Sequence, residues 1–185
     1  MELRNFLLSS FDDEDMQALS PQMREVSLQR GEGVNEEGKD VDYVYFPSFA
    51  VLSVVTVMLD GRCLESSSIG REGGVGLLEA ASDSQTHHRV FTQVPGTAIR
   101  ASASAVRRLT QGSHSFRETL FRHALTDAAQ VEQFVACNAL HTAEQRLARW
   151  LLMTADRTGS TRFQLTQDYL AVMTGVQRTT ISALA

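Results

Sequence analysis

The sequence is poor in the residues that staple a fold or ligate a metal. Its 185 residues include two cysteines, Cys63 and Cys137. That excludes a disulfide scaffold, a four-thiolate zinc site and a thiolate-ligated iron–sulfur cluster, and both thiols read as small buried hydrophobes. No run approaches the ~20 consecutive apolar residues of a membrane span. The opening MELRNFLLSSFDDED turns acidic where a signal peptide needs an apolar stretch and a small-residue cleavage site, so the reduced cytoplasm is the expected compartment. There is no Gly-x-Ser-x-Gly elbow and no phosphate-binding P-loop. His87 and His88 are adjacent, so on a strand they point to opposite faces, and His114, His123 and His141 are scattered over helices. A cupin-like metalloenzyme needs several inward histidines on separate strands. Neither an enzyme, a metal nor a cofactor is therefore expected.

What is present is globular: 43% hydrophobic and 21% charged residues. The net charge of −5 is unevenly spread. Residues 1–100 carry 8 Arg/Lys against 16 Asp/Glu, or −8, and residues 101–185 carry 9 against 6, or +3. An acidic N-terminal unit joined to a mildly basic one places any polyanion on the second.

Residues Asn5 to Leu19 show an amphipathic pattern with acids at a plausible helix start, Ser10 to Glu14, and Pro21 marks its boundary. From Arg24 to Arg100, β-branched and aromatic segments alternate with Gly, Asp and Pro, which predicts antiparallel strands in a sandwich or small roll. Asp60-Gly61 and Pro95-Gly96 read as hairpin turns, and Leu52 to Leu59 as an interior strand. After Ala101 the pattern is helical, giving an α+β chain: a short helix Ser102–Gln111, then His114 to Asn138 without Gly or Pro, then Thr142 to Asp156. Ser160 to Phe163 could form a short strand.

In the long helix, Phe121, Ala124, Ala128, Val131, Val135 and Asn138 recur at spacings of 3, 4, 3, 4 and 3. That is either a heptad seam for self-association or the inner face of an ordinary core helix. Phe116, Leu120, His123 and Phe134 lie off the seam, and a second apolar surface on one helix favours pairing with a second copy.

The last stretch, LTQDYLAVMTGVQRTTISALA, is the most informative. Thr166 suits an N-cap, Leu170, Ala171 and Met173 an inner face, Gly175 a turn needing positive φ, and Val176 an apolar plug. A second helix then begins at Gln177, with Ile181 and Leu184 inward and Gln177, Arg178, Thr179 and Ser182 outward. Those side chains suit base edges and phosphates, and the layout is that of a helix-turn-helix rather than a plain helical hairpin. Thr166, Gln167 and Thr180 are the candidates for phosphate contacts that set the docking register.

With these residues in place, the whole chain resembles the Crp/Fnr superfamily of bacterial transcription regulators. The blocks CNALHTAEQRLARWLLMTADRTG and LTQDYLAVMTGVQRTTIS are similar to a proteobacterial branch with no assigned small-molecule signal. The resemblance implies a cyclic-nucleotide-binding-like β-roll (jelly roll) over residues 1–112, a dimerisation helix over 113–138, a hinge near Asn138 to His141, and a winged helix-turn-helix over 139–185. It implies a homodimer on double-stranded DNA carrying an inverted repeat, a small-molecule effector, and RNA polymerase as a further partner. Arg178 falls where the family reads a guanine. Thr179 stands where cyclic-AMP-type members have a glutamate, so base preference should differ from theirs. The family's recognition helix runs on into a β-hairpin wing, whereas this sequence stops at Ala185. The expectation is a C-terminally truncated domain, and the alternative function is a signal-binding and dimerisation module with defective DNA binding.

Members that bind cyclic nucleotides use a Gly-rich turn for the phosphate, a glutamate for the ribose and an arginine for the phosphate charge. By resemblance the effector pocket falls on Gly73, Gly74, Val75, Gly76, His88 and Arg89. The glutamate position is Gly74 and the arginine position His88. Arg89 is one place off and would point away from the pocket, so cyclic AMP is not expected to bind in the usual way.

Overall fold

The structure, a computed structural model, describes residues 4–61, 63–162 and 165–184. Helix α1 (Asp13–Leu19) starts after Asp12, with three acids in its first turn, where they favour the positive end of the helix dipole. Seven strands follow: β1 (Met23–Leu28), β2 (Gly33–Asn35), β3 (Tyr43–Pro47), β4 (Val51–Val57), β5 (Cys63–Ile69), β6 (Arg89–Val94) and β7 (Gly96–Ser102). They form two antiparallel sheets, ordered β1-β7-β3 and β2-β6-β4-β5. The expected β-roll is therefore present.

The Asp60-Gly61 turn joins β4 and β5 as a hairpin, with Gly61 at φ 82° and its N–H donating to the Met58 carbonyl at 2.9 Å. Pro95-Gly96 is different. It does not close a hairpin but carries the chain from β6 in one sheet to β7 in the other. One intervening residue is too short for a hairpin loop, and a Cβ on Gly96 would lie 2.5 Å from the Ala50 nitrogen. The glycine permits the two sheets to meet there. The interior-strand reading holds for Val51 to Val55, but the outer end of β4 opens to solvent, and Leu59 at the hairpin tip is fully exposed. Cys63 is exposed rather than buried, while Cys137 is buried.

Between β5 and β6 lies the short helix α2 (Leu77–Ser82). Helix α3 (Ala103–Gly112) is capped by Ser102, whose Oγ accepts from the Ala105 N–H at 3.3 Å. Ser113 does the same for α4 (His114–Leu140), 27 residues long. Phe116 at the start of α4 is fully buried and stacks on Phe11 with ring centroids 4.5 Å apart. Those rings, with Phe46, Ile99 and Val106, make the larger core and fix α4 to the roll.

Helix α5 (Ala143–Thr158) opens with a reciprocal cap: the Gln145 N–H donates to Thr142 Oγ1, and the Thr142 N–H donates to Gln145 Oε1. It ends at Gly159, φ 66°. Ser160 to Arg162 form no strand. Ser160 turns the chain on itself, accepting from the Arg162 N–H at 3.1 Å, and Phe163 lies outside the described residues. Helices α6 (Gln167–Thr174) and α7 (Arg178–Leu184) complete the chain.

Candidate nucleic-acid interface and effector cavity

Thr166 caps α6 as its position predicts, Oγ1 accepting from the Tyr169 N–H at 3.2 Å. Gly175 makes the turn at φ 65°, and the Val176 N–H donates to the Ala171 carbonyl at 3.1 Å, closing α6 across a left-handed residue. Ala171, Ile181 and Leu147 of α5 form a small buried core, with Val176 packed against it. That core fixes the outward face of α7: Gln177, Arg178, Thr179 and Ser182 are exposed and Thr180 is half-buried. Thr166 and Gln167 are exposed at the start of α6. The Ser182 hydroxyl donates to Gln167 Oε1 at 2.7 Å and so ties the first turn of α6 to α7. The inward position of Leu184 lies outside the described side chains.

On α4 the heptad positions face solvent. Phe121 is 68% exposed, Val131 37% and Val135 64%. Ala128 is exposed and Ala124 half-buried, while Leu125, not foreseen from the spacing, adds a further exposed apolar side chain. The opposite face is covered. Phe116 and Leu120 pack into the roll, and Phe134 is buried with the Arg149 guanidinium 4.4 Å from its ring centroid. Among the described residues nothing covers Phe121 or Val135, while Ala124, Ala128 and Val131 turn partly toward a cavity beside the roll.

A cavity of about 520 Å³ opens between β4, β5 and β6, the segment around α2, and α4. Gly74, Val75, Gly76 and His88 line it, as expected; Gly73 and Arg89 do not. A Cβ on Gly73 would strike the His123 ring at 2.9 Å, so that glycine is packed under α4. Arg89 faces out and reaches Glu36 at 3.6 Å, as strand alternation requires. Among the described residues no lysine or arginine lines the cavity, while Glu79 and Asp127 do. His123 Nε2 lies 3.2 Å from Asp127 Oδ2 on the cavity wall, and burial pushes the Asp127 carboxyl up.

One assembly went unread in the sequence. Glu65 on β5 is fully buried, accepting from Ser53 Oγ at 2.7 Å and from Trp150 Nε1 at 3.0 Å. Burial outweighs these donors and raises its carboxyl to about 7. Arg157 of α5 donates to Glu72 and to Ser68 Oγ, both at 2.6 Å. Its partners are 85 and 89 residues away in sequence, beyond the reach of any local pattern. Among the described residues no three His, Cys, Asp or Glu side chains are placed to hold a metal ion, and no helix is long and apolar enough to cross a membrane.

Residues 145–185 match the family described as the Crp-like helix-turn-helix domain. Comparison with curated proteins gives no match. Among solved structures, the chain is similar to the c-di-GMP responsive global regulator CLP of Xanthomonas campestris, at 16% identity and a TM-score of 0.70, over 94% of this chain and 89% of that one. A crp/fnr-family protein from Eubacterium rectale matches at 13% identity and a TM-score of 0.78, over 99% and 86%. A CRP-family transcriptional regulator from Thermus thermophilus matches at 18% identity and a TM-score of 0.68, over 87% and 81%. Residues 145–185 are a Crp-like helix-turn-helix domain, and the chain as a whole has the fold of the Crp/Fnr regulators.

Proposed function

We propose that the protein is a dimeric, sequence-specific DNA-binding regulator of transcription whose β-roll senses a small-molecule signal. Residues 1–112 are the sensing domain, 113–138 the dimerisation helix and 139–185 the DNA-binding domain. The observation that carries this reading is the helix-turn-helix itself: a three-helix core that exposes Gln177, Arg178, Thr179 and Ser182 together. In such a motif the second helix enters the major groove with its N-terminal residues leading. Arg178, second residue after the turn to α7, is the base reader, and Gln167, Thr166 and Thr180 set the register on phosphates. The exposed seam Phe121, Ala124, Ala128, Val131 and Val135 pairs two protomers around a two-fold axis.

Two-fold symmetry presents two copies of α7 to the duplex, so the target is an inverted repeat with half-sites ~10 bp apart, or a multiple of that. Selection from random duplexes with the protein tests this. A symmetric motif is expected, and recovery of none refutes the reading. Arg178→Ala should weaken binding by ~1–3 kcal/mol per half-site and relax preference at one base position.

The cavity is the effector site of this reading. Its wall of Val54, Ile69, Val75, Leu77, Val90 and Ala124, with acids and, among the described residues, no fixed cation, suits a ligand without phosphate charge.

A further inference from the structure

The helix-turn-helix is not hung freely from α4; α5 and α6 pack on the outer face of β4 and β5. At the centre of that contact Glu65 contributes a carboxylate with one donor per oxygen, Ser53 from the sheet and Trp150 from α5. Met173 of α6 closes over Ser53, its Sδ 3.5 Å from Oγ, and Tyr169 packs edge-on against Trp150 with centroids 6.5 Å apart. The charged groups around Glu65 are Arg149 and Arg157 of α5. Arg157 is already engaged by Glu72 and Ser68, and Arg149 lies over Phe134. Among the described side chains of α6 the titratable group is Tyr169, which Arg30 also faces. Beyond Glu72 stands the His123–Asp127 pair of α4. Among the described residues, no cation contacts the Glu65 carboxylate with the two-pronged geometry that would offset the loss of water.

We propose that Glu65 is a proton-dependent latch between the β-roll and the helix-turn-helix. Protonated, it holds α5 and α6 on β4 and β5; ionised, it loosens them. The latch is a contact within the chain and stands whether or not α7 reads DNA.

Docked, the carboxyl titrates at about 7; freed, it returns to its ordinary 4.5. The docked state therefore binds the proton more tightly, and undocking is favoured as pH rises between these two values. Linkage gives a rise in the undocked-to-docked ratio of about 20-fold from pH 5.5 to 7.5, levelling above that.

Trp150 is the single tryptophan of the chain and is 4% exposed where docked. Acrylamide quenching of its fluorescence, measured from pH 5 to 8 on the intact protein, reads the latch directly. Quenching should rise with pH in the wild type. Glu65→Gln, which keeps the shape and can still accept from Trp150 without ever ionising, should stay shielded at every pH. Ser53→Ala, which removes a donor to the ionised form, should move the midpoint to higher pH. His123→Asn, at the ion pair beyond Glu72, should leave the wild-type profile unchanged. A flat wild-type profile overturns the proposal. So does a pH dependence that persists in Glu65→Gln, one that vanishes in His123→Asn, or an unmoved midpoint in Ser53→Ala.

Discussion

Replacing Val131 and Val135 by aspartate should convert the proposed dimer to monomers. Both side chains are substantially solvent-exposed within one protomer, at 37% and 64%. The double variant should therefore leave the protomer's own fold within about 1 kcal/mol of the wild type, the usual range for surface changes. In the proposed dimer the same positions meet across the two-fold axis, so four carboxylates would lose water beside the apolar Phe121, Ala124 and Ala128 and each other's aspartates. At ~2 kcal/mol for each imperfectly compensated charge, the conservative end of what burial costs, the dimer loses ~8 kcal/mol. That is about six decades in dissociation constant, enough to carry a nanomolar dimer to millimolar. Light scattering at micromolar protein should read a mass near the 20.4 kDa of one chain, while circular dichroism keeps the helical signal. An unchanged dimer mass with retained helicity would refute the seam and send the search for the interface elsewhere.

Phe116→Ala, at a fully buried ring stacked on Phe11, should lower stability by ~3–5 kcal/mol in a denaturant titration. Cyclic AMP should show no high-affinity binding in calorimetry, since among the described residues no arginine or lysine lines the cavity; a micromolar constant, ~8 kcal/mol, would contradict this. Glu65→Gln should stabilise the fold increasingly as pH rises. The folded carboxyl titrates at about 7 against an ordinary 4.5, so the folded state holds its proton more tightly and wild-type stability falls across that interval, then levels. The variant should match the wild type near pH 4.5 and exceed it by on the order of 3 kcal/mol at pH 8, measured by urea unfolding at both values.

The helical half was legible because its signals are local. Thr166, Gly175 and Val176 announce the turn by spacing, and the 3-and-4 recurrence from Phe121 to Val135 is complete within one helix. The strands were legible as strands, but their partners were not. Pro95-Gly96 has the composition of a hairpin turn, and only the approach of Ala50 shows that it is a crossing between sheets. Cys63 read as buried because thiols usually are, but it begins β5 beside the open hairpin tip. Glu65 lies in Leu-Glu-Ser-Ser-Ser, a stretch that reads as solvent-facing. Its burial comes from Trp150, 85 residues later, and long-range pairings of that kind leave no trace in periodicity.

The 27 residues of α4 span about 40 Å at 1.5 Å per residue. The near end is clamped in the roll by Phe116 and Leu120, while Phe134 and Cys137 near the far end are buried where α5 begins. A rod of that length turns small rotations into useful travel. Tilting it by about 5° at the roll moves its far end by about 3.5 Å, close to the 3.4 Å rise of one base-pair step. At Ala124 on the cavity wall, about 12 Å along the rod from Phe116, that tilt is a shift of about 1 Å, so under the proposed function a wall that yields by about 1 Å resets where two recognition helices fall along a duplex.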